Sequence, residues 1–238
     1  MRIAIALYLS AVLCTIYANP TDKLESAKLQ VQNAISNVER IIQKIRHVYI
    51  NTKEDTINSV TDRLWEQMDN YRDYVNLLLK SMQREVDNAK RRGVDAQRCY
   101  DSNSWGVKEH SEEAHKASKK CKETAEKNIE SSLEYLHSFT LLGDELIQQL
   151  NNILVDCHDK DDFKMHTCVL SELGKANNSV KDFEDDTKYI EYSALPLSNY
   201  VVLQASQCMT NAYLLARFEC QGSQDSNSRC VREALEKI

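Results

Sequence analysis

Cysteine carries most of the chemistry open to this sequence. The first eighteen residues read as an export signal: Met1-Arg2, an apolar run from Ile3 to Leu13, and Ala18 before the cleavage point. Its removal takes Cys14 away and delivers the rest to an oxidising compartment, where thiols pair. Seven cysteines remain, Cys99, Cys121, Cys157, Cys168, Cys208, Cys220 and Cys230, an odd number that cannot all pair within one chain. Cys157 and Cys168 flank the acidic turn His158–Asp162, and Cys220 and Cys230 flank Gly222–Ser228 in the same way. Each pair is therefore expected to staple two antiparallel helix ends. Cys208 and Cys220 cannot bridge on one helix, because twelve residues put them about 18 Å apart. Cys99, Cys121 and Cys208 are left for one bridge and one spare thiol, and an unpaired cysteine offers a route to a disulfide-linked dimer.

Metal chemistry has three candidate sets. Cys157, His158, His166 and Cys168 have the residue types of a zinc site, but the spacing fits no standard finger and export favours the disulfide. His110, Glu113 and His115 share a helical surface without forming the His-Glu-x-x-His pattern of metalloproteases, so a solvated polar face is expected. Asp159, Asp161 and Asp162 lack the central glycine and distal glutamate of a calcium loop and read as a solvated acidic turn. No metal or cofactor is therefore expected. The chain has no Gly-x-Ser-x-Gly elbow, phosphate-cradling loop or dinucleotide fingerprint, so no catalytic residue is assigned and the protein is read as no enzyme. Lys90-Arg91-Arg92 and Lys119-Lys120-Cys121-Lys122 are basic clusters diluted by Asp87, Asp95 and Glu123. Trp65, Met68, Tyr71, Tyr74 and Met82 could line a groove for an apolar ligand, although their spacing equally describes core. Asn177-Asn178-Ser179 is a glycosylation sequon with Asn177 as acceptor.

The elements that must position these side chains are helices. Five Gly and two Pro in 238 residues leave too few turn formers for a many-stranded β protein. Leu24, Val31, Val38 and Ile45 recur every seven residues, with Ala27, Ala34, Ile41 and Val48 three residues after each and Ile35 and Ile42 widening the stripe. This predicts a helix over about 22–49. A second stripe from Ile57 through Val60, Leu64, Met68, Tyr71, Val75, Leu78, Met82 and Val86 to Ala89 predicts another from about 52 to the low nineties. Asp101–Gly106 reads as the clearest break. Beyond it a weakly apolar stretch of Ala114, Ala117, Cys121 and Ala125 leads into Ile129, Leu133, Leu136, Leu146, Leu150 and Ile153, with Gly143 as the place for a kink or close approach. Further helices are expected from Phe163 to about Leu195-Pro196, from a Ser198 cap to Gly222, and from Ser228 to Lys237. The fold class expected is all-α, an elongated bundle of about five to six helices with disulfide-stapled hairpins.

Charge narrows the partners. The chain has 30 Lys+Arg against 36 Asp+Glu, a net charge of −6, which argues against nucleic acid and anionic lipid as partners. No apolar stretch is long enough for a membrane span.

The cysteine intervals, Cys99, Cys121, the close pair Cys157 and Cys168, then Cys208 and Cys220, with an acidic turn inside the close pair, resemble the TsetseEP domain of secreted fly proteins over roughly residues 99–230. The resemblance implies a secreted insect protein of gut lumen or body fluid, and no chemistry. The long Glu-Pro repeat tail of some members is missing. The organisation expected is a signal peptide at 1–18, an N-terminal helical hairpin extension at 19–98, and a cysteine-containing helical domain at 99–238. The function expected is a secreted, extracellular, non-enzymatic interaction protein that binds a protein, glycoconjugate or microbe. The alternative is a carrier holding a small hydrophobic ligand between its helices.

Overall fold

A computed structural model describes residues 20–237. The signal peptide expected over residues 1–18 lies outside them. All regular structure among the described residues is helical: α1 spans Pro20–Arg91, α2 Gln97–Ser132, α3 Glu134–Asp156 and α4 Asp162–Leu235. Leu133 alone separates α2 from α3, so the described residues form three long helices with the middle one interrupted, and the expected five to six is too many. No helix among the described residues is long and apolar enough to cross a membrane.

Four expected breaks are absent. Around Asn51 the helix runs on, and Thr56 just beyond is buried with its hydroxyl 2.7 Å from Ser198 Oγ of α4. Asp101–Gly106 is helical because Asn103 and Ser104 turn their side chains back onto the carbonyls of Cys99 and Asp101, while Val107 just beyond is fully buried. Pro196 stands inside α4 on an exposed face, where the carbonyl that its missing N–H leaves unbonded faces water. Gly222 is also interior and open, and the polar run after it is held by Asn227 and Ser228 on the Glu85 carboxylate at 3.0 and 2.8 Å. In each case tertiary contact or solvent exposure overrides a weak local preference.

The turn that does occur is Arg92–Ala96. Gly93 has φ +84°, a conformation that glycine adopts without strain. The amides of Arg92 and Val94 close on the Ala89 carbonyl, and the Asp95 carboxylate accepts from the Gln97 amide at 3.0 Å, capping α2.

The chain divides into two compact units, each built from separate stretches of sequence. Unit 1 comprises residues up to Ile50 together with Leu133–Ala194, and unit 2 comprises Asn51–Ser132 and Leu195–Ile238. The division expected at residues 98/99 does not coincide with these boundaries.

Unit 1 packs the first part of α1, all of α3 and the first part of α4. Leu24, Val31, Val38, Ile41, Ile42 and Ile45 bury the predicted stripe of α1, and Leu150, Leu173 and Ile190 are buried on the other two helices. Gly143 is a close approach rather than a kink: a Cβ there would lie 2.6 Å from Ile42 Cγ1 and 2.9 Å from Phe183 Cζ. At the hairpin the Asp161 carboxylate accepts from the Phe163 and Lys164 amides, and Asp159 accepts from the Asp161 amide, so two of the three acidic side chains serve the backbone.

Unit 2 packs the second part of α1 with α2 and the end of α4. Val86, Ala89, Val94 and Ala96 gather with Cys99 and Val231. Leu78, Met82 and Val107 gather with Cys220, and Tyr71 with Ala114, Tyr213 and Ala216. Of the small residues that made α2 look poorly packed, Ala114, Cys121 and Ala125 are buried, with Ser118 beside them, while Ala117 is exposed. Their size allows the buried face to sit close to its neighbours.

Candidate interaction surface

Three disulfides hold the described chain. Cys157 pairs with Cys168 in unit 1, as the hairpin staple requires, with Cα atoms 5.5 Å apart. In unit 2, Cys99 pairs with Cys230 and Cys121 with Cys208. The expected Cys220–Cys230 staple does not form, because both residues lie on the continuous helix α4, about 15 Å apart at ten residues' rise. Among the described residues Cys220 is the free thiol. It is fully buried, so it is not available to link a second chain while unit 2 is folded, contrary to the expected dimer route. The disulfide between Cys157 and Cys168 also leaves the hairpin no thiolates with which to bind zinc. Asn177 and Ser179 are exposed on α4 in unit 1, so the sequon's acceptor faces solvent.

The groove suggested by the aromatic residues is not assembled. Trp65 points outward at 57% exposure, while Tyr71 and Met82 are core. Tyr71 instead anchors a polar network inside unit 2. Its hydroxyl lies 3.4 Å from both Ser111 Oγ and Cys220 Sγ, and its ring packs on Tyr213 with centroids 4.9 Å apart. The Tyr213 hydroxyl reaches Ser118 Oγ at 2.9 Å and His115 Nδ1 at 3.1 Å. Tyr74 donates to the Arg217 carbonyl, and the Arg217 guanidinium stacks over its ring at 5.0 Å. Burial pushes the phenols of Tyr71, Tyr74 and Tyr213 and the Cys220 thiol upward, and burial followed by the Lys119 charge pushes the His115 imidazole downward. All five groups are thereby held neutral at physiological pH, in a packed and hydrogen-bonded interior.

The three candidate ligands on α2 part company. His115 turns inward to Tyr213, while His110 and Glu113 are joined by Glu219 from α4.

The surface that stands out is the outer face of α4 in unit 2. Tyr200, Leu203, Leu214, Leu215 and Phe218 are exposed, Phe218 at 79%. Tyr200, Leu203, Gln207, Asn211, Leu214 and Phe218 recur at intervals of three and four and so share one side of the helix over about 27 Å. Meanwhile Val201, Ala205, Met209, Tyr213, Ala216 and Cys220 bury the opposite side. No Asp, Glu, Lys or Arg occurs between Glu191 and Arg217, in a chain that is 28% charged. That uncharged run is the sequence signal for the surface, and the stripes and cysteines do not reveal it.

Comparison with protein-family models, with curated proteins and with solved structures finds no match for this chain. The surface is read on its own chemistry. A helix face lacking charge and presenting Leu, Tyr and Phe to water has the composition of the core of a protein–protein interface, where charged residues are depleted and aromatic residues enriched.

Proposed function

We propose that this is a secreted, extracellular, non-enzymatic interaction protein that engages a partner protein through the outer face of α4 in unit 2. The observation that carries the reading is the uncharged, exposed set Tyr200, Leu203, Leu214 and Phe218 on a helix whose other side is fixed in the core. Three disulfides support an oxidising, extracellular setting. The two in unit 2, Cys99–Cys230 and Cys121–Cys208, also fit the surface role, because a face held rigidly before binding loses less entropy when it docks. The TsetseEP resemblance belongs to this reading as a proposal: an insect protein of gut lumen or body fluid.

The test is capture of partners from the secreting tissue's own fluid by the wild-type chain and by Leu214→Asp/Phe218→Asp. Both side chains are exposed, so the variant keeps the helical circular dichroism and melting temperature of the wild type. A partner retained by the wild type and lost by the variant supports the surface. Equal capture by both removes it. Native mass spectrometry of the same preparation addresses the carrier alternative, which one lipid or pigment per chain would favour.

A further inference from the structure

We propose that His110, Glu113 and Glu219 bind a divalent transition-metal ion of the zinc class, clipping α2 to α4 within unit 2. His110 and Glu113 are three residues apart on α2 and share a face. Glu219 comes from α4, and one ligand atom from each residue lies within 4.8 Å of the other two.

The geometry at His110 points to a cation rather than to a hydrogen bond. Its Nδ1 is buried and lies 3.3 Å from Glu219 Oε2, yet it makes no hydrogen bond to that oxygen or to any other group among the described residues. With Nδ1 as the unprotonated nitrogen, its lone pair would face the carboxylate oxygen across this gap, and a cation between them would satisfy both. The separation suits one: two ligands of a tetrahedral ion with bonds of about 2.0–2.1 Å are about 3.3 Å apart. Glu113 is exposed, so its carboxylate can swing into the third position. Neither Glu113 nor Glu219 has a lysine or arginine ion-pair partner among the described residues, so a cation would neutralise both carboxylates. One imidazole nitrogen with two carboxylate oxygens suits zinc and its neighbours better than calcium or magnesium, which prefer all-oxygen shells. A fourth position stays open to water or to an outside ligand.

The experiment uses the full secreted chain stripped with chelator and titrated with Zn2+ calorimetrically, with Co2+ absorption reporting coordination geometry. Expected is one Zn2+ per chain, with affinity reduced by about tenfold or more in His110→Gln and in Glu219→Gln, since loss even of a group that merely orients a ligand costs at least that much. The tetrahedral Co2+ bands should vanish in the same variants. His158→Gln/His166→Gln, on the disulfide hairpin of unit 1, should bind as the wild type does. Ring resonances of the wild-type histidines give a readout independent of any variant: Zn2+ should move those of His110 and leave His158 and His166 in place. Absence of Zn2+ binding, or binding that survives loss of His110 and Glu219, would overturn the site. Neither outcome bears on partner capture by the outer face of α4.

Discussion

The Cys220 sulfur and the Tyr71 hydroxyl lie 3.4 Å apart inside unit 2, joining the free thiol to the largest fully buried side chain. The thiol also lies 3.8 Å from the Val107 carbonyl, so it contacts groups from both other helices of the unit. Burial raises its pKa, which keeps it protonated and a poor nucleophile.

Cys220 should therefore resist thiol reagents in the native protein. In the chain without residues 1–18, labelling with a disulfide-exchange chromophore is expected to be slow in buffer and to reach one thiol per chain in denaturant, with no disulfide-linked dimer on non-reducing gels. Rapid stoichiometric labelling of the native protein would show that unit 2 opens easily or that Cys220 is misplaced.

The two kinds of disulfide should differ in what they contribute. Cys121–Cys208 closes a separation of 87 residues and Cys157–Cys168 one of 11. In the chain-entropy account these correspond to about 4.6 and about 2.8 kcal/mol. Replacing Cys121 and Cys208 by serine should lower the melting temperature more than replacing Cys157 and Cys168. The reverse order would mean that strain or residual structure outweighs loop closure, and peptide mapping without reduction checks the pairing itself.

The helical stripes were legible because period and burial agree: Leu24 through Ile45 and Val60 through Ala89 bury the faces that their spacing predicts. Helix ends were less so. Pro196, Gly222 and Asp101–Gly106 carry breaker residues, yet Pro196 lies on an exposed face, Asn227 and Ser228 reach across to Glu85 after Gly222, and Val107 fixes Asp101–Gly106 in the core, and none of these circumstances is local in sequence. The same limit explains the cysteines. The Cys157–Cys168 pair is close in sequence and could be read, whereas the partners of Cys99 and Cys230 depend on which helix ends meet. It explains the metal ligands too, since His110 and Glu113 announce themselves by spacing but Glu219 arrives from a distant helix. The outer face of α4 could have been read from the missing charges between Glu191 and Arg217.

Gly143 offers a test of packing in unit 1. Gly143→Ala places a methyl 2.6 Å from Ile42 Cγ1 and 2.9 Å from Phe183 Cζ, and both side chains are buried. The branched Ile42 has little room to move, so a loss of about 1–3 kcal/mol is expected. Gly174→Ala, where the new methyl meets nothing within 4 Å, should instead gain about 0.8–1 kcal/mol of helix propensity. Chemical denaturation of both variants decides it, and equal effects would remove the close approach.

His115 makes stability depend on pH with a definite sign. Burial and then the nearby Lys119 charge lower its folded pKa below the ordinary 6.5, so the unfolded chain takes up a proton before the folded one does. Its contribution is complete above pH 6.5 and is lost as the pH falls through the lower folded value, where the imidazole must charge beside Tyr71 and Tyr213. His115→Gln removes the titration while keeping a polar group that can reach the Tyr213 hydroxyl. The melting temperature of the variant should therefore gain on that of the wild type as the pH is lowered from 7.5 to 5. Parallel curves for the two proteins across that range would show that His115 titrates alike in the folded and unfolded chain.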